Sequence, residues 1–300
     1  MNILVTGGAG FIGSHIVDEY IKLGYKIIVV DDLSNGLFEF VNNKSEFYKI
    51  DIRNYEDLEK IFINKKIDIV NHHASKINVF ESIENPKLYF DVNVRGTLNL
   101  LELARKYKVK RFIFASSGGA IKHIRNNTFK SIYGLNKYIC ELYLKNYYKL
   151  YNLKFVSLRY SNVYGPRQIP NSDSGVISIF CKNYLENKEF KIFGDGKQTR
   201  DFVFIKDVID ANVIALNSKV GIFNIGSGKE ISILELIELF KKIENKNIKF
   251  SYYPQRPGDI KRSCLNIDKT KEMLKWKSKV DLIDGIRVTL QWMKENLKLN

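Results

Sequence analysis

Cysteine is scarce in this chain, and no apolar run is long enough to cross a bilayer. The three cysteines, Cys140, Cys181 and Cys264, stand far apart, and no two of them form a Cys-x-x-Cys pair. This spacing excludes a disulfide framework and indicates reduced thiols in a reducing compartment. A membrane-spanning helix needs ~20 apolar residues, which no stretch approaches. The chain opens directly on a strand-like run without a signal-peptide pattern, so we expect a cytoplasmic protein that does not bind membranes.

Metal-ligand clusters and nucleic-acid modules are also missing. His72 and His73 are adjacent on a predicted strand and would point to opposite faces, and no cysteine or carboxylate cluster completes a zinc site. We therefore expect no metal and a structural role for both histidines. The net charge is +15, but the lysines are scattered rather than grouped in a block. A solvated lysine-rich surface is therefore favoured, and we expect no nucleic-acid partner.

The first half of the chain alternates apolar strands with helices. Uninterrupted apolar runs suit parallel strands that are buried on both faces of a sheet, and strand–helix alternation indicates βαβ units. The predicted strands are 2–6, 26–31, 67–74, 111–117 and 154–160, and the predicted helices are 12–23, 55–64, 86–107 and 133–151. The predicted fold class is therefore α/β, with a Rossmann-type, doubly wound parallel sheet.

The alternation weakens after residue 165, where glycine and proline become frequent. We predict a Rossmann domain over 1–165, with returning segments near 201–226, and a smaller, interrupted α/β substrate domain over 166–300. Two helix starts carry capping signals, because Asn54 is followed after three residues by Asp57, and Ser232 by Glu235.

A glycine-rich turn, Thr6-Gly-Gly-Ala-Gly-Phe-Ile-Gly13, joins predicted strand 2–6 to predicted helix 12–23. Gly7 permits the tight turn, Gly10 lets a pyrophosphate approach the backbone, and Gly13 lets the helix pack closely on the strand. The N-terminus of the helix would face the phosphates. Asp31 ends the second strand, where a carboxylate accepts a bond from a ribose 2′-hydroxyl and repels a 2′-phosphate. The sequence therefore predicts a dinucleotide site that favours NAD over NADP.

A second group of polar residues predicts proton-transfer chemistry. Tyr133 and Lys137 have i, i+4 spacing on one helix face, so the ammonium would lower the pKa of the phenol and suit it to general base catalysis. Ser116 and Ser117 end strand 111–117 at the carboxyl edge, where open α/β sheets bind ligands. A hydroxyl there can bond the reacting oxygen of a substrate.

Together these motifs resemble the extended short-chain dehydrogenases, and among them the nucleotide-sugar 4-epimerases that act on UDP-hexoses. The resemblance extends over essentially all 300 residues. Its further motifs are Asn71–Ala74, Asn93–Thr97, Ser116–Gly119, Leu158–Gln168, Phe193–Phe202, Asn224–Gly226 and Arg256–Asp259.

The resemblance implies a homodimeric isomerase that holds NAD tightly and epimerises UDP-glucose, UDP-galactose and their N-acetylated forms at C4 by transient oxidation. The implied catalytic residues are Ser117, Tyr133 and Lys137. The implied cofactor contacts are Gly7, Gly10, Phe11, Ile12, Gly13, Asp31, Asp32, Ser34, Asn35, Gly36, Asp51, Ile52, Ala74, Ser75, Lys76, Asn93, Ser116, Tyr133, Lys137 and Ser161. The implied substrate contacts are Ser117, Asn162, Val176, Arg200, Arg256, Asp259 and Ser263. Ser263 would border the sugar 2-substituent and leave room for an N-acetyl group.

Two features depart from the family pattern. The loop 122–130 is short and basic and lacks a tyrosine that relatives carry there, and Lys76 stands where many relatives have glutamine. Gly118-Gly119 argues against a dehydratase, in which an Asp-Glu pair is expected. Two alternatives stay open: a UDP-glucuronate epimerase or decarboxylase of the same fold, and a non-catalytic protein that binds NAD or a nucleotide-sugar.

Overall fold

The computed structural model describes residues 1–122, 128–171, 174–244, 247–255 and 260–297. Its contacts divide the chain into two compact units. The first contains Met1–Arg159 and Ile209–Phe223, and the second contains Tyr160–Val208 and Asn224–Asn300. None of the helices in the described ranges is long and apolar enough to cross a membrane. The assignment of cofactor binding to one part of the chain and substrate binding to the other stays a prediction.

The first unit is built on a seven-stranded sheet in the order β11–β6–β5–β4–β1–β2–β3. The strands are β1 (Asn2–Thr6), β2 (Lys26–Asp31), β3 (Glu46–Lys49), β4 (Ile69–His72), β5 (Arg111–Ser117), β6 (Lys154–Tyr160) and β11 (Gly221–Ile225). β1 pairs in parallel with both β2 and β4, so the strand order reverses at β1, and a ligand crevice forms at such a point. The predicted fold class is confirmed.

Helices cover the strands of this sheet. They are α1 (Phe11–Lys22), α2 (Tyr55–Asn64), α3 (Val79–Glu84), α4 (Pro86–Phe90), α5 (Gly96–Lys106), α6 (Gly118–Lys122), α7 (Ile132–Tyr151) and α9 (Ile205–Ala215). Ile3, Leu4 and Val5 of β1 are all fully buried, which explains why the apolar run does not alternate with polar residues. The core also holds Leu58 of α2, Leu100 of α5 and other apolar residues of the helices.

Two predicted elements differ from the structure. The predicted helix 86–107 is wrong as one regular helix, because Asp91–Arg95 form a π-helical turn between α4 and α5. Buried Val94 and Leu101 keep a seven-residue spacing across that turn, so the hydrophobic pattern conceals it. The predicted strand 67–74 is shorter in the structure, since its pairing with β1 ends at His72.

The second unit is built from short strands and helices. These are β7 (Asn162–Tyr164), α8 (Val176–Leu185), β8 (Phe190–Phe193), β9 (Thr199–Arg200), β10 (Phe202–Phe204), β12 (Ile231–Ser232), α10 (Ile233–Glu244), β13 (Phe250–Tyr253), α11 (Asp268–Leu274) and α12 (Leu282–Asn296). Three two-stranded sheets pair β7 with β10, β9 with β12, and β8 with β13. The rings of Phe180 and Phe190 stack at 4.2 Å in the core of this unit.

Both predicted helix caps are confirmed. The Asn54 side chain accepts a bond from the amide of Asp57 at 3.1 Å at the start of α2. At the start of α10, the Glu235 amide donates to the Ser232 hydroxyl at 3.1 Å, and the Ser232 amide donates to the Glu235 carboxylate at 2.7 Å. These reciprocal bonds satisfy amides that the first helical turn leaves without intrahelical partners.

Candidate active site

The glycine-rich turn lies between β1 and α1, at the point where the strand order reverses. Gly7 has φ of +71°, and a Cβ there would lie 2.6 Å from the Ala74 amide nitrogen. A Cβ on Gly13 would lie 2.1 Å from the carbonyl oxygen of Gly7, so neither position tolerates a side chain. A Cβ on Gly10 would meet only that same carbonyl, at 3.3 Å, and no side chain caps α1. The turn therefore leaves space and helix-terminal amides for an anionic group.

Asp31 is tied into this turn from the end of β2. Its carboxylate accepts bonds from the amides of Ala9 at 3.0 Å and Leu33 at 2.9 Å. Burial raises the pKa of Asp31, and the two amide bonds act in the opposite direction. Each carboxylate oxygen has two lone pairs, so Asp31 keeps acceptor capacity for a ribose hydroxyl. Gly36 packs against it, because a Cβ there would lie 3.0 Å from Asp31 Oδ1.

The first turn of α7 presents Tyr133 to the end of β5. The hydroxyl of Ser131 caps this helix by accepting the Gly134 amide at 3.1 Å. A Cβ on Gly134 would lie 2.6 Å from the carbonyl oxygen of Ala120, so glycine permits α7 to approach α6. Tyr133 is hydrogen-bonded to the side chain of Ser117, which also accepts the Ala120 amide at 3.3 Å. Two predicted catalytic residues are therefore in direct contact.

Lys137 lies one helical turn beyond Tyr133 and is buried. Its Nζ donates to the carbonyl of Ala115 at 2.9 Å and lies 5.9 Å from the centre of the Tyr133 ring. An ammonium has three donors, so this bond leaves donors for a ligand hydroxyl. Burial lowers the pKa of Lys137 to about 8. The amine is thus close to its charge transition near neutral pH.

The phenol of Tyr133 corrects one sequence-based expectation. Loss of hydration raises the pKa of Tyr133 to about 12, and the bond from Ser117, which lowers it, does not offset that effect. The expectation that Lys137 lowers this pKa below its ordinary value is wrong for the protein chain by itself. A positively charged ligand ring beside the phenol would act in the opposite direction to burial.

Asn93 lies in the π-helical turn and holds the loop that follows β4. Its side-chain oxygen accepts the Lys76 amide at 2.8 Å, and its nitrogen donates to the Lys76 carbonyl at 2.9 Å. The Lys76 ammonium pairs with Glu81 at 2.9 Å, and the Tyr89 hydroxyl donates to the same carboxylate at 2.8 Å. Single π-turns often occur at functional sites, and this one directs a buried amide onto the loop.

His72 has a structural environment. Its two ring nitrogens lie 2.7 Å from the hydroxyl of Thr6 and 2.9 Å from the hydroxyl of Thr97. Burial and the charge of Lys137 lower the pKa of His72 well below 6.5, so the ring is neutral. The described residues contain no group of three His, Cys, Asp or Glu side chains that could hold a metal ion.

Other predicted cofactor residues are distributed over the loops at this edge of the sheet. Phe11 and Ile12 open α1, Asp32, Ser34 and Asn35 follow β2, Ala74 and Ser75 follow β4, and Ser161 follows β6. Asp51 is paired with Arg53 at 2.8 Å, which lowers its pKa. The side chain of Ile52 is in the hydrophobic core, and its carbonyl accepts the Asn99 side chain at 3.1 Å.

The predicted substrate residues that the structure describes, apart from Ser117, belong to the second unit. Asn162 begins β7, and its side chain donates to the carbonyl of Asp201 at 3.1 Å. Arg200 donates to the carbonyl of Ile260 at 2.6 Å. Ser263 is buried, and its amide donates to the carbonyl of Thr199 at 3.2 Å. Val176 opens α8. Arg256, Asp259 and most of the 122–130 loop lie outside the described residues.

Comparison with known proteins identifies the family. Residues 3–226 match the family described as the NAD dependent epimerase/dehydratase family. The chain belongs to this family. The resemblance inferred from the motifs is confirmed, and so are NAD as the cofactor and the classification of the chain as an enzyme of the epimerase type.

The family members that resemble this chain match it over nearly its whole length. A Methanocaldococcus jannaschii protein provisionally named UDP-glucose 4-epimerase is 47% identical over 305 residues, which cover 98% of this chain and 99% of that protein. The structure of Thermotoga maritima UDP-glucose 4-epimerase with UDP-glucose is 42% identical, covers 99% and 100% of the two chains, and gives a TM-score of 0.95. A Methanobrevibacter ruminantium UDP-N-acetylglucosamine 4-epimerase in complex with UDP-N-acetylmuramic acid is 34% identical, with 99% coverage of each chain and a TM-score of 0.91.

The residues present fit the cofactor of this family. Besides the open side of Gly10, the buried hydroxyls of Ser116 and Ser161 have no hydrogen-bond partner among the described residues. A buried hydroxyl without a partner is unfavourable, and a bound ligand can satisfy it. Both serines are predicted cofactor contacts, and each would gain a partner from a dinucleotide.

Sequence reasoning assigned no role to several buried polar residues near these positions. Glu141, one turn beyond Lys137 on α7, is 1% exposed and forms a two-bond ion pair with Arg159 of β6. Asn136 has a buried side-chain nitrogen without a partner in the described part of the chain. Asp201 is fully buried within the Phe193–Phe202 motif. A charged residue directly before the apolar strand 202–204 was the available signal for Asp201.

Proposed function

We propose that this protein catalyses the 4-epimerisation of a UDP-hexose. The observation that carries the proposal is the contact of the Tyr133 phenol with the Ser117 hydroxyl, one helical turn from the Lys137 ammonium. A hydroxyl pair beside a buried amine is the arrangement that general base catalysis on an alcohol requires. Its position at the carboxyl end of β5, on the same edge of the sheet as the glycine-rich turn, supports a reaction next to NAD.

In the proposed reaction, Tyr133 takes the proton of the sugar 4-hydroxyl and Ser117 orients that oxygen. NAD, when bound, supplies the acceptor and donor for the hydride of C4. The Lys137 ammonium binds a ribose hydroxyl with its remaining donors, and together with the positive ring of bound NAD it would counter the effect of burial on the pKa of Tyr133. After oxidation, the 4-keto sugar, which is planar at C4, stays attached through its nucleotide and rotates so that the other face of C4 is presented. Inversion is completed when the hydride returns to the opposite face of C4 and Tyr133 gives its proton back to the C4 oxygen.

The nucleotide is held, in this proposal, by polar residues of the second unit. Asn162, Arg200, Arg256 and Asp259 would bind the diphosphate and its ribose, and Val176 would contribute an apolar contact. A guanidinium suits this role because its fork binds phosphate oxygens through two parallel bonds. Strong attachment at the nucleotide leaves the hexose free to turn, as inversion at C4 demands.

The substrate range follows from Ser263. We propose that its small side chain leaves room for an N-acetyl group, so that UDP-N-acetylhexosamines react as well as UDP-glucose and UDP-galactose. Similar family members are named for each of these two substrate classes. In Ser263→Tyr, steric exclusion should abolish turnover of UDP-N-acetylglucosamine and retain turnover of UDP-glucose. Equal loss of activity with both substrates would show that Ser263 does not line the pocket for the sugar 2-substituent.

The proposal is tested by a turnover assay with the purified protein. UDP-glucose, UDP-N-acetylglucosamine and UDP-glucuronate are supplied separately, and the C4 epimer is quantified by chromatography. Conversion of the two neutral sugars without added NAD supports a tightly held cofactor and the proposed reaction. Conversion of UDP-glucuronate alone would support the alternative epimerase or decarboxylase. UDP binding without conversion of any sugar would support a non-catalytic binding protein.

We also propose a homodimer formed by the outer face of α3, α4 and α7. Apolar and aromatic side chains of this face are between 37% and 66% exposed, namely Phe80, Ile83, Phe90, Leu142, Tyr143, Leu150 and Tyr151. A cluster of exposed large apolar residues is a common sign of association between subunits. Light scattering should give twice the 34.9 kDa mass of the chain, and Ile83→Arg should reduce it to the monomer mass. A monomeric wild-type protein would contradict the proposal.

A further inference from the structure

Asp201 is a fully buried carboxylate at the junction of β9 and β10. Its Oδ1 accepts the amide and the hydroxyl of Ser227, each at 2.7 Å. Its Oδ2 accepts the amides of Gly228 and Leu265, each at 3.2 Å. The carboxylate therefore joins three segments that are distant in sequence, around residues 201, 227 and 265.

The same residue is linked to the described polar residues of the second unit that are proposed to bind the substrate. The Asp201 carbonyl accepts both the backbone amide and the side-chain amide of Asn162, at 2.9 Å and 3.1 Å. Arg200 directly precedes Asp201. Ser263 is two residues from the Leu265 amide that the carboxylate holds, and its own amide bonds to Thr199. Asn162 is thus bonded to the backbone of Asp201, Arg200 is next to it in the chain, and Ser263 lies two residues from an amide that its carboxylate holds.

We propose that Asp201 is a positioning residue, whose carboxylate sets the placement of Asn162 and Arg200 for nucleotide binding and of Ser263 beside the sugar. This inference rests on the proposed function, since these residues hold a substrate only if the chain binds a UDP-sugar. The carboxylate accepts these four N–H and O–H bonds and a longer one from the Cys264 thiol at 3.9 Å. Because all of these partners are donors, the N–H groups of an isosteric amide would point against some of them. The local packing is equally tight, since a Cβ on Gly226 would lie 2.5 Å from Asp201 Oδ2.

The second unit contains a matched control in Asp207. Its side chain is 1% exposed and accepts the Ser278 hydroxyl at 3.0 Å, the Lys279 amide at 3.0 Å and the Val280 amide at 3.2 Å. The donors to the Asp207 side chain come from residues 278–280 and from none of Asn162, Arg200 and Ser263. We therefore expect Asp207→Asn to lower the stability of the protein as Asp201→Asn does, without a change in UDP binding.

The experiment compares Asp201→Asn with Asp207→Asn in the NAD-loaded protein. Titration calorimetry measures the Kd of UDP, steady-state kinetics give kcat and KM for UDP-glucose, and thermal unfolding gives Tm. We expect both variants to lower Tm, but only Asp201→Asn to raise the Kd of UDP, by about 10-fold to 100-fold. Its KM for UDP-glucose should rise by much more than its kcat falls, because the proton-transfer residues are elsewhere.

A second pair of variants, with a smaller change in structure, tests the inference if Asp201→Asn or Asp207→Asn fails to fold. Ser227→Ala removes one donor to Asp201, and Ser278→Ala removes the equivalent donor to Asp207. We expect Ser227→Ala to raise the Kd of UDP by about 3-fold, and Ser278→Ala to leave it unchanged.

Three results would overturn the inference: an unchanged Kd in Asp201→Asn and Ser227→Ala, equal increases in the Asp207 and Ser278 controls, or a wild-type protein that does not bind UDP. The proposed function and the positioning role can be tested separately. A wild-type protein that binds UDP without epimerising any sugar contradicts the function and leaves the positioning role supported by the Kd shift. An active wild type whose Asp201 variants bind UDP normally contradicts only the positioning role.

Discussion

The predicted catalytic residues of the first unit stand directly on regular elements, whereas the predicted substrate residues of the second unit depend on long-range polar contacts. Tyr133 and Lys137 share one face of α7, and Ser117 ends β5. In the second unit, Asn162 and Arg200 are held by bonds to backbone carbonyls 39 and 60 residues away. The proposed chemistry is therefore built into the sheet framework, while the proposed nucleotide recognition depends on how separate loops are held together by hydrogen bonds.

The largest expected effect tests the first half of this comparison. Tyr133→Phe removes the phenol hydroxyl that is proposed to transfer the proton, so kcat should fall by about 10²- to 10⁴-fold. The Kd of UDP should stay at the wild-type value, because the nucleotide is proposed to bind the second unit. Tyr148→Phe, an exposed tyrosine on the same helix, serves as the control and should keep full activity. A Tyr133→Phe protein with wild-type kcat would show that another group is the base.

Removal of the guanidinium of Arg200 should affect mainly the Kd of UDP, whereas Tyr133→Phe should affect mainly kcat. Arg200→Ala is expected to weaken UDP binding by about 1.5–3 kcal/mol, which corresponds to roughly 10-fold to 100-fold in Kd. The amount of NAD released on denaturation should not change, since the glycine-rich turn and Asp31 are in the other unit. Arg287→Ala removes a half-exposed guanidinium of α12 as a control for lost charge. An equal increase in the Kd of UDP in both variants would show that Arg200 acts only through its positive charge and does not contact the nucleotide.

A third prediction concerns the acid stability of the sheet. The folded protein keeps His72 neutral well below pH 6.5, whereas the unfolded chain takes up a proton there. The stabilising effect is therefore present above pH 6.5 and is lost as the pH falls, by up to about 1.4 kcal/mol per pH unit. The free energy of unfolding, measured by denaturant titration at several pH values between 6.5 and 4.5, should fall less steeply with pH in His72→Gln than in the wild type. An equal pH dependence in the two proteins would exclude His72 as the titrating group.

The smallest effect is expected at Lys76. Its ion pair with Glu81 is partly exposed, at 26% and 29% for the two side chains, so solvent screens it. Lys76→Gln should change the free energy of unfolding by less than about 1 kcal/mol and leave the NAD content unchanged. Loss of NAD in this variant would show that the ammonium itself, rather than the backbone at residue 76, contacts the cofactor.

The sequence predicted the first unit well because its signals are local. The glycine spacing from Gly7 to Gly13 and the Tyr133–Lys137 spacing each fall within eight residues and fit one strand–turn–helix or one helical turn. β1, β2, β5 and β6 have the predicted bounds, since fully buried parallel strands produce uninterrupted apolar runs. The π-helical turn escaped prediction because apolar spacing continues through it.

The second unit could be predicted only in outline. The capping box of Ser232 and Glu235 is a local signal, and it correctly marked the start of α10. The role of Asp201 was not accessible in the same way, because its partners lie 26 and 64 residues further along the chain. The pKa of Tyr133 was also out of reach, since burial depends on the packing of α6 and α7 rather than on spacing along one helix.

The two bonds from Asn93 have a consequence for tolerance to substitution. Because Asn93 recognises the amide and the carbonyl of residue 76, every amino acid except proline offers it the same pair of atoms. The conformation of the loop therefore does not depend on which side chain stands at position 76. A residue that differs from the family at this point does not disturb the loop, and position 76 becomes an attachment point for a spectroscopic label beside the site.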